Sequence, residues 1–393
     1  MTSDPVVIVA ARRTPIGAFQ GALQGASAVT LGAAANRAAV TQSGVDAADI
    51  DEVLTGCVLP AGIGQAPARQ ASLGAGIPKH VPCTTVNKVC GSGMKTVLLG
   101  HDAIISGSAN IVLAGGMESM SNAPYLLPNA RGGYRMGHTQ VLDHMFFDGL
   151  QNPADGNMMG FFAEATADKY GFTREQQDAF SIESVERALA AVHGGEFEAE
   201  ITPVTFTVRR NEVTVSRDEE PFNCDIEKIP SLRPAFRRDG GTVTAASSSS
   251  ISDGAAAVVL MRKSEAARRE IPVLATIVGA SSHGHEPEWF TTTPSFAVSK
   301  LQKQLDWTTE DVDLYEVNEA FACVSMAAMH DVGIPRDKMN VNGGACALGH
   351  PIGATGARLI VTLIHALRAR KLHRGIASQC IGGGEALAIA LEV

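Results

Sequence analysis

Thr309-Glu-Asp-Val-Asp-Leu-Tyr-Glu-Val317 reads as an acidic lead-in running into a short buried strand, and Asp49-Ile-Asp-Glu-Val-Leu54 shows the same order near the start of the chain. The offset is about 260 residues, and the correspondence extends to both sides. Before the earlier copy come an apolar strand, Val6-Val-Ile-Val-Ala10, and an Ala-rich helix from Leu31 to Ser43. Before the later copy come a strand, Val273-Leu-Ala-Thr-Ile-Val278, and a helix from Ser295 to Leu305. Val86-Asn87 and Val341-Asn342 each open a Gly-bearing segment that leads into a helix. Each copy then ends in a strand that runs into glycines, Ile111 to Gly116 and Ile376 to Gly384. Strands alternating with helices of this length build βαβ units, so the repeat predicts two related α/β halves whose sheets are covered by helices.

Between the halves, from about Ser119 to Ser250, the composition changes. Six of the twelve methionines fall between Met117 and Met159, among Pro124, Pro128, Pro153, Phe146 and Phe147. Two readings are open: an irregular excursion that covers the core, or an adaptable lid over a ligand or subunit contact, since methionine conforms to irregular surfaces. Phe161 to Val192 is helical by periodicity, with Thr173-Arg-Glu-Gln176 as a capping box before its second helix. Residues 209–238 carry seven bases against six acids, read mostly as solvated surface, with one or two placed to meet an anionic ligand.

The bulk properties exclude several classes. At roughly 100–200 residues per domain, 393 residues allow two to four domains. With 45% apolar and 19% charged residues the chain buries a large core. Forty-one acids against 32 bases leave a net charge of −9, which offers no basic face to nucleic acid. The longest uncharged apolar stretches, such as Leu359 to Leu367, reach about half of the ~20 residues that cross a bilayer, so a soluble protein without membrane insertion is expected. The opening MTSDPVVIVAARRTP has no basic segment followed by an apolar one, and the final Leu-Glu-Val is no peroxisomal address, so a cytoplasmic location is expected. Seven cysteines without a C-x-x-C pair argue against a disulfide framework and against structural zinc. His283-Gly-His285-Glu286 has no third partner and is read as a loop, so no metal is expected.

Four segments carry groups suited to chemistry. Cys90 lies in Val86-Asn-Lys-Val-Cys-Gly-Ser-Gly-Met-Lys95, before a helix from about Met94 to Ile105. A thiol at a strand-to-helix turn faces free N–H groups and the positive end of the helix dipole, which stabilise thiolate. The other reading is a small buried residue at a tight turn. His350 lies in the glycine-dense run Asn340 to Arg358, presented before an apolar helical face formed by Leu359, Ile360, Leu363, Ile364 and Leu367, and is placed as a general base. Cys380 ends an apolar run before Ile381-Gly-Gly-Gly384, and Asn318-Glu-Ala-Phe321 follows the strand Leu314 to Val317. These groups gather just beyond strand C-termini, where open α/β sheets bind ligands. Two thiols, an imidazole and an amide suit acyl transfer involving thioesters.

The sequence resembles the thiolase family along essentially its whole length. Cys90-Gly-Ser-Gly93, Asn318-Glu-Ala-Phe321, Gly349-His-Pro-Ile-Gly353 and Cys380-Ile-Gly-Gly-Gly384 stand in that family's order and spacing. The resemblance implies a five-layered αβαβα fold, with residues 1–119 and 251–272 as the N-terminal half, 120–250 as an inserted loop domain and 273–393 as the C-terminal half. It implies a homotetramer built from dimers, with no permanently bound cofactor and with coenzyme A thioesters as substrates. Cys90 would take the acyl group, His350 would activate it, and Cys380 would act as acid and base. The N–H groups of Cys90 and Gly382 would form one oxyanion hole, and His350 with a water held by Asn318 the other.

Ala235, Phe236 and Ser249 would contact coenzyme A, and Met159, Ala320 and Phe321 would lie beside the substrate. Two features depart from the family pattern: Ala246-Ser-Ser-Ser-Ser250 replaces a Gly-Asn-Ala-Ser-Gly-type run, and Met158 replaces a histidine of many short-chain members. Phe290, within Glu286 to Pro294, would wall the acyl pocket and favour acetyl and acetoacetyl groups. The implied activity is that of an acetyl-CoA C-acetyltransferase. A degradative 3-ketoacyl-CoA thiolase of broader chain length is the alternative, and a non-catalytic thiolase-like lipid-binding or scaffold protein is the reading from another class.

Overall fold

Two aspartates mark the same step in each half. Asp51 Oδ2 accepts the N–H groups of Asn110 (2.7 Å) and Ile111 (2.9 Å), and Asp313 Oδ2 accepts those of His373 (2.9 Å) and Arg374 (2.8 Å). Each stands in the acidic lead-in and fixes the start of the neighbouring parallel strand. The computed structural model describes residues 4–393; Met1, Thr2 and Ser3 of the stretch read for a leader lie outside the described residues.

The strands are β1 (Val6–Arg13), β2 (Gly17–Ala18), β3 (Glu52–Gly56), β4 (Cys83–Val86), β5 (Ile111–Ser119), β6 (Tyr125–Leu126), β7 (Leu142–Asp143), β8 (Val204–Val208), β9 (Asn211–Val215), β10 (Ser252–Arg262), β11 (Ala275–Gly284), β12 (Leu314–Val317), β13 (Arg374–Ile381) and β14 (Glu385–Glu392). The main sheet runs β12-β13-β14-β11-β1-β10-β5-β3-β4, with β2 beside β10. The halves meet where Val7 and Ile8 pair antiparallel with Thr276 and Ala275. From that join each half repeats one order: two antiparallel steps, β1-β10-β5 and β11-β14-β13, then parallel ones, β5-β3-β4 and β13-β12. A parallel bridge from Tyr315 to Met339 stands where β4 stands in the first half.

The pleat sorts side chains into layers, because successive residues of a strand face opposite sides. Ile8, Val258, Leu260, Leu387, Ile389 and Leu391 face inward, against Met94 and Val97 of the helix Ser92–Ser106 and Ile360 and Leu363 of the helix Thr355–Arg370. Val7, Val9, Val259 and Met261 face outward, against Leu31 and Ala35 of the helix Ala28–Ser43. Ala388 and Ala390 face outward in the other half, against Val298 and Leu301 of the helix Thr293–Leu305. Helix, sheet, helix pair, sheet and helix give the five αβαβα layers.

Some boundaries move. The strand expected at Asp49–Leu54 begins at Glu52, because Asp46 caps a 3-10 turn over Ala47–Asp49. The strand expected at Val273–Val278 lies at Ala275–Gly284, since pairing with β14 continues to Gly284 opposite Glu385; His283 therefore lies on a strand rather than in a loop. The capping box is present, with Thr173 Oγ1 accepting from Gln176 N at 3.2 Å and Gln176 Oε1 accepting from Thr173 N at 2.9 Å.

The segment between β5 and β10 is anchored on a buried ion cluster. Arg13 of β1, with its side chain 1% exposed, donates to Glu200 Oε1 at 2.5 Å and to both Asp218 oxygens at 2.7 and 2.9 Å. Asp218 also accepts from Ile16 N at 2.8 Å. Burial lowers the guanidinium's proton affinity, and the two carboxylates more than reverse that, so Arg13 stays charged. Asp218→Ala leaves Arg13 paired with Glu200 alone and takes the acceptor from Ile16 N, and equilibrium denaturation should show a loss of about 1–3 kcal/mol.

Candidate active site

Cys90 sits on the turn between β4 and the helix Ser92–Ser106. Val89, just before it, is held at φ 46°, a left-handed conformation that a β-branched residue resists, so the turn is locally strained. The strain is supported by Val89 N donating to Asn87 Oδ1 at 2.9 Å and Ser92 Oγ donating to Val89 O at 2.7 Å. Burial pushes the Cys90 thiol above its ordinary value, while the N–H groups of Gly382 and of Cys90 itself pull in the opposite direction. The net shift is upward. The turn's N–H groups favour thiolate as the sequence reading expected, but loss of water outweighs them in the resting thiol.

His350 lies between the helical turn Ala345–Leu348 and the helix Thr355–Arg370, fixed by its N–H to Ser250 O at 3.0 Å. Its Nδ1 is 2.6 Å from Thr355 Oγ1, and Thr355 Oγ1 donates to Pro351 O at 3.0 Å. A hydroxyl has one proton, so the threonine oxygen must accept from Nδ1–H, which leaves the lone pair on Nε2. Nε2 is buried and has no protein partner. Burial, then the nearby Arg358 guanidinium, push the imidazole down to about 3. The resting pair is a neutral thiol and a neutral imidazole with its basic nitrogen free.

Cys90, His350 and Gly382 line one cavity of about 240 Å³. Phe236, Ser249, Phe290, Ala320 and Phe321 line it too, as do Met158 and Met159. Phe290 is 2% exposed and meets Phe162 edge to face at 6.4 Å, so it both walls the cavity and packs in a core. Ala235 is not in the cavity wall; it is exposed, its N–H bonded to Val243 O at 2.9 Å. Asn318 and Cys380 lie behind the wall. Asn318 is fully buried and neither polar atom of its side chain has a protein partner, as suits a group that holds a small polar ligand. Cys380 ends its apolar run as read from the sequence, one residue inside the end of β13 and opposite Ala386. Its thiol is held well above the ordinary range by burial and then by the neighbouring Cys90 and Cys323 thiols.

The serine run closes its turn with its own hydroxyls. Ser247 Oγ accepts from Thr244 N at 2.8 Å, Ser248 Oγ donates to Thr244 O at 2.7 Å, and Ser249 N donates to Ala320 O at 3.0 Å. Among the residues 209–238, Arg237 is engaged by Asp168 at 2.6 and 2.9 Å, and Arg217 lies over Phe222. His283 Nε2 stands 3.2 Å from His285 Nδ1, and no group of three or more metal-ligating side chains exists among the described residues. Sequence reading missed Thr355 and the walls supplied by Met120, Phe146, Leu150, Ile251 and Ile352. Thr355 had a signal, a hydroxyl five residues after His350 in the same glycine-dense run.

The fold and this site define an acyltransferase. Residues 6–264 match the family model for the thiolase N-terminal domain, and residues 271–393 the model for the thiolase C-terminal domain. An acetyl-CoA acetyltransferase of Pseudomonas aeruginosa is 48% identical over 388 residues, 98% of each chain. A thiolase from Ascaris suum, solved in complex with coenzyme A, superposes with a TM-score of 0.94 at 42% identity over 99% of each chain. An acetyl-CoA acetyltransferase of Bacillus anthracis gives a TM-score of 0.96 at 41% identity, covering 99% of this chain and 98% of its own. The chain belongs to the thiolase family.

Thr355→Val removes the acceptor that fixes the His350 tautomer, while Thr355→Ser keeps it. Steady-state assays should show kcat falling about 10- to 100-fold in the valine variant, part of the roughly 10²–10⁴ a positioned base supplies, and near-normal turnover in the serine variant.

Proposed function

We propose that the enzyme is an acetyl-CoA C-acetyltransferase that joins two acetyl-CoA into acetoacetyl-CoA and coenzyme A, reversibly, through an acetyl group on Cys90. The observation that carries this reading is the free, neutral His350 Nε2 in the same cavity as Cys90 and Gly382. Cys90 attacks the thioester carbonyl as His350 takes its proton, and the N–H groups of Cys90 and Gly382 hold the oxyanion. Coenzyme A leaves as a thiolate and takes the proton of Cys380. The Cys380 thiolate then removes a proton from the methyl group of the second acetyl-CoA, and the resulting enolate is held by protonated His350 and a water on Asn318. The enolate attacks acetyl-Cys90, and the departing Cys90 thiolate regains its proton from His350.

Ser249 and Phe236 serve coenzyme A at the cavity mouth, with Met159, Ala320 and Phe321 beside the acyl group. Ala235 lies outside that wall, nearer the adenine end. No cofactor is resident. Residues 120–250 form the lid domain, between the halves 1–119 with 251–272 and 273–393. The active form is a homotetramer of two dimers, a reading supported by the exposed apolar side chains of Tyr125, Leu127, Met136 and Val141 on the lid. The location is the cytoplasm; no described helix is long and apolar enough to cross a membrane.

Brief incubation with acetyl-CoA should add one acetyl to the Cys90 peptide by mass spectrometry; an unmodified peptide alongside intact turnover sinks the reading. Cys380→Ala should still acetylate, because a thiolate whose acid has a pKa near ~8.5 leaves without help, yet carbon–carbon bond formation should stop. Equal loss of both steps would leave Cys380 a support of the fold.

Phe290 sets chain length by exclusion, each strained methylene being worth about 1–3 kcal/mol. Acetoacetyl-CoA should be cleaved much faster than six- or eight-carbon homologues, and Phe290→Ala should narrow the gap. Equal wild-type rates on long chains would replace this assignment with the degradative thiolase.

A further inference from the structure

Glu118, near the end of β5, is fully buried, and no cation lies within ion-pair distance of it among the described residues. Its oxygens are instead surrounded by donors from two separate segments. Oε2 accepts from Val58 N at 2.9 Å and from Gly353 N at 2.9 Å; Oε1 accepts from Leu59 N at 3.1 Å and from the Cys57 thiol at 3.7 Å. Val58 and Leu59 belong to the first half, and Gly353 to the loop of the second half that carries His350. The same two segments meet in an apolar cluster of Val58, Leu59, Met120 and Ile352, of which Met120 and Ile352 line the acyl cavity.

Every group that faces Glu118 is a donor. The carboxylate accepts from all four, whereas a protonated carboxyl must turn its one hydrogen toward the weak acceptor Cys57 Sγ and an amide turns an NH2 toward N–H donors, so the anion fits the set best. We infer that Glu118 is a positioning residue, whose carboxylate latches the His350–Gly353 loop to Val58 and Leu59 and so fixes both the imidazole and the Ile352 wall of the acyl cavity. The inference rests on the thiolase chemistry proposed above and adds a residue to it.

The latch has a working range. Burial pushes Glu118 up to about 7 against the pull of its backbone donors, and the titratable group packed against it is Cys57, itself pushed up by burial and by Glu118. The latch therefore holds above about pH 7 and loosens as pH falls through that value, where His350, held near 3, does not titrate.

The test is the rate of Cys90 acetylation by acetyl-CoA, quenched and read by mass, in wild type and Glu118→Gln. In wild type the rate should fall as pH drops through about 7. Glu118→Gln, which points an NH2 at N–H donors, should acetylate about 100-fold more slowly with no such limb, the scale expected when reacting groups are displaced by about 1 Å. Its KM for coenzyme A in the cleavage direction should change less than its kcat, because Ser249 and Phe236 are untouched. A lower Tm with wild-type acetylation and kcat overturns the inference. If the variant does not fold, a flat wild-type rate from about pH 8 to about pH 6 overturns it equally. Absence of Cys90 acetylation in wild type at every pH would sink the proposed chemistry itself, a different outcome from a Glu118 variant that behaves like wild type.

Discussion

Gly93 and Gly356 stand where two helix N-termini approach backbone to backbone. A Cβ on Gly93 would strike Ala357 N at 2.8 Å and Gly353 O at 3.0 Å, and one on Gly356 would meet Met94 N and the Gln379 amide. Neither neighbour can move aside, since both are main chain or buried between sheets. This contact determines the rest of the active site. Cys90 precedes Gly93 by one turn and His350 lies just ahead of the other helix, so locking the two N-termini together brings a thiol from one half beside an imidazole from the other. The glycines of Cys-Gly-Ser-Gly and Gly-Ala-Thr-Gly are thus spacing elements as much as turn formers.

Burial then decides the electrostatics. Around the cavity the thiols of Cys90 and Cys380 are pushed up and the imidazole of His350 is pushed down, in each case first by loss of water. Each of these three groups rests in its neutral form, and charge appears once Cys90 attacks and is discharged only when the catalytic cycle closes. Helix dipoles and N–H groups aimed at the site are worth more against a charge that develops in such a dry space than against one held permanently. A thiol that is unreactive at rest is also protected from oxidation, whose rate follows thiolate character.

Much of this was legible in the chain. The repeated acidic lead-ins identified both halves because Asp51 and Asp313 do the same job at the same step, and a functional constraint on backbone N–H groups leaves a residue type behind. The four motifs led to the site because glycine, cysteine, histidine and asparagine are readable individually. What was not legible was direction and depth. The apolar run into glycines located the end of β13 with Cys380 in it but not how deeply that thiol is buried, and a helix-start cysteine gave no measure of how far its pocket excludes water. Thr355 and Glu118 escaped because a threonine in a helix and a glutamate at a strand end look ordinary until the fold brings His350 and Gly353 to them.

The duplication of the fold makes the inequality of its chemistry informative. Glu52 pairs with Val112 as Leu314 pairs with Gly375, so in this register Asn318 corresponds to Gly56 and Cys380 to Met117. The first half thus has no counterpart of the amide or of the second thiol, and the second half has Gly353 where the first has Cys90, if Gly93 and Gly356 are matched. A symmetric arrangement would set two nucleophiles at one narrow mouth, where each would compete for the same acyl carbon. Dividing the parts, with the nucleophile on one helix start and base, acid and amide on the other half, gives the acyl group one place to be held and the attacking carbon one face from which to approach. The price in stability falls on the join between halves, which must hold the two helix starts in register while the cavity between them admits a substrate. That requirement explains why the closest contact of the central helix pair is made by the smallest residue available.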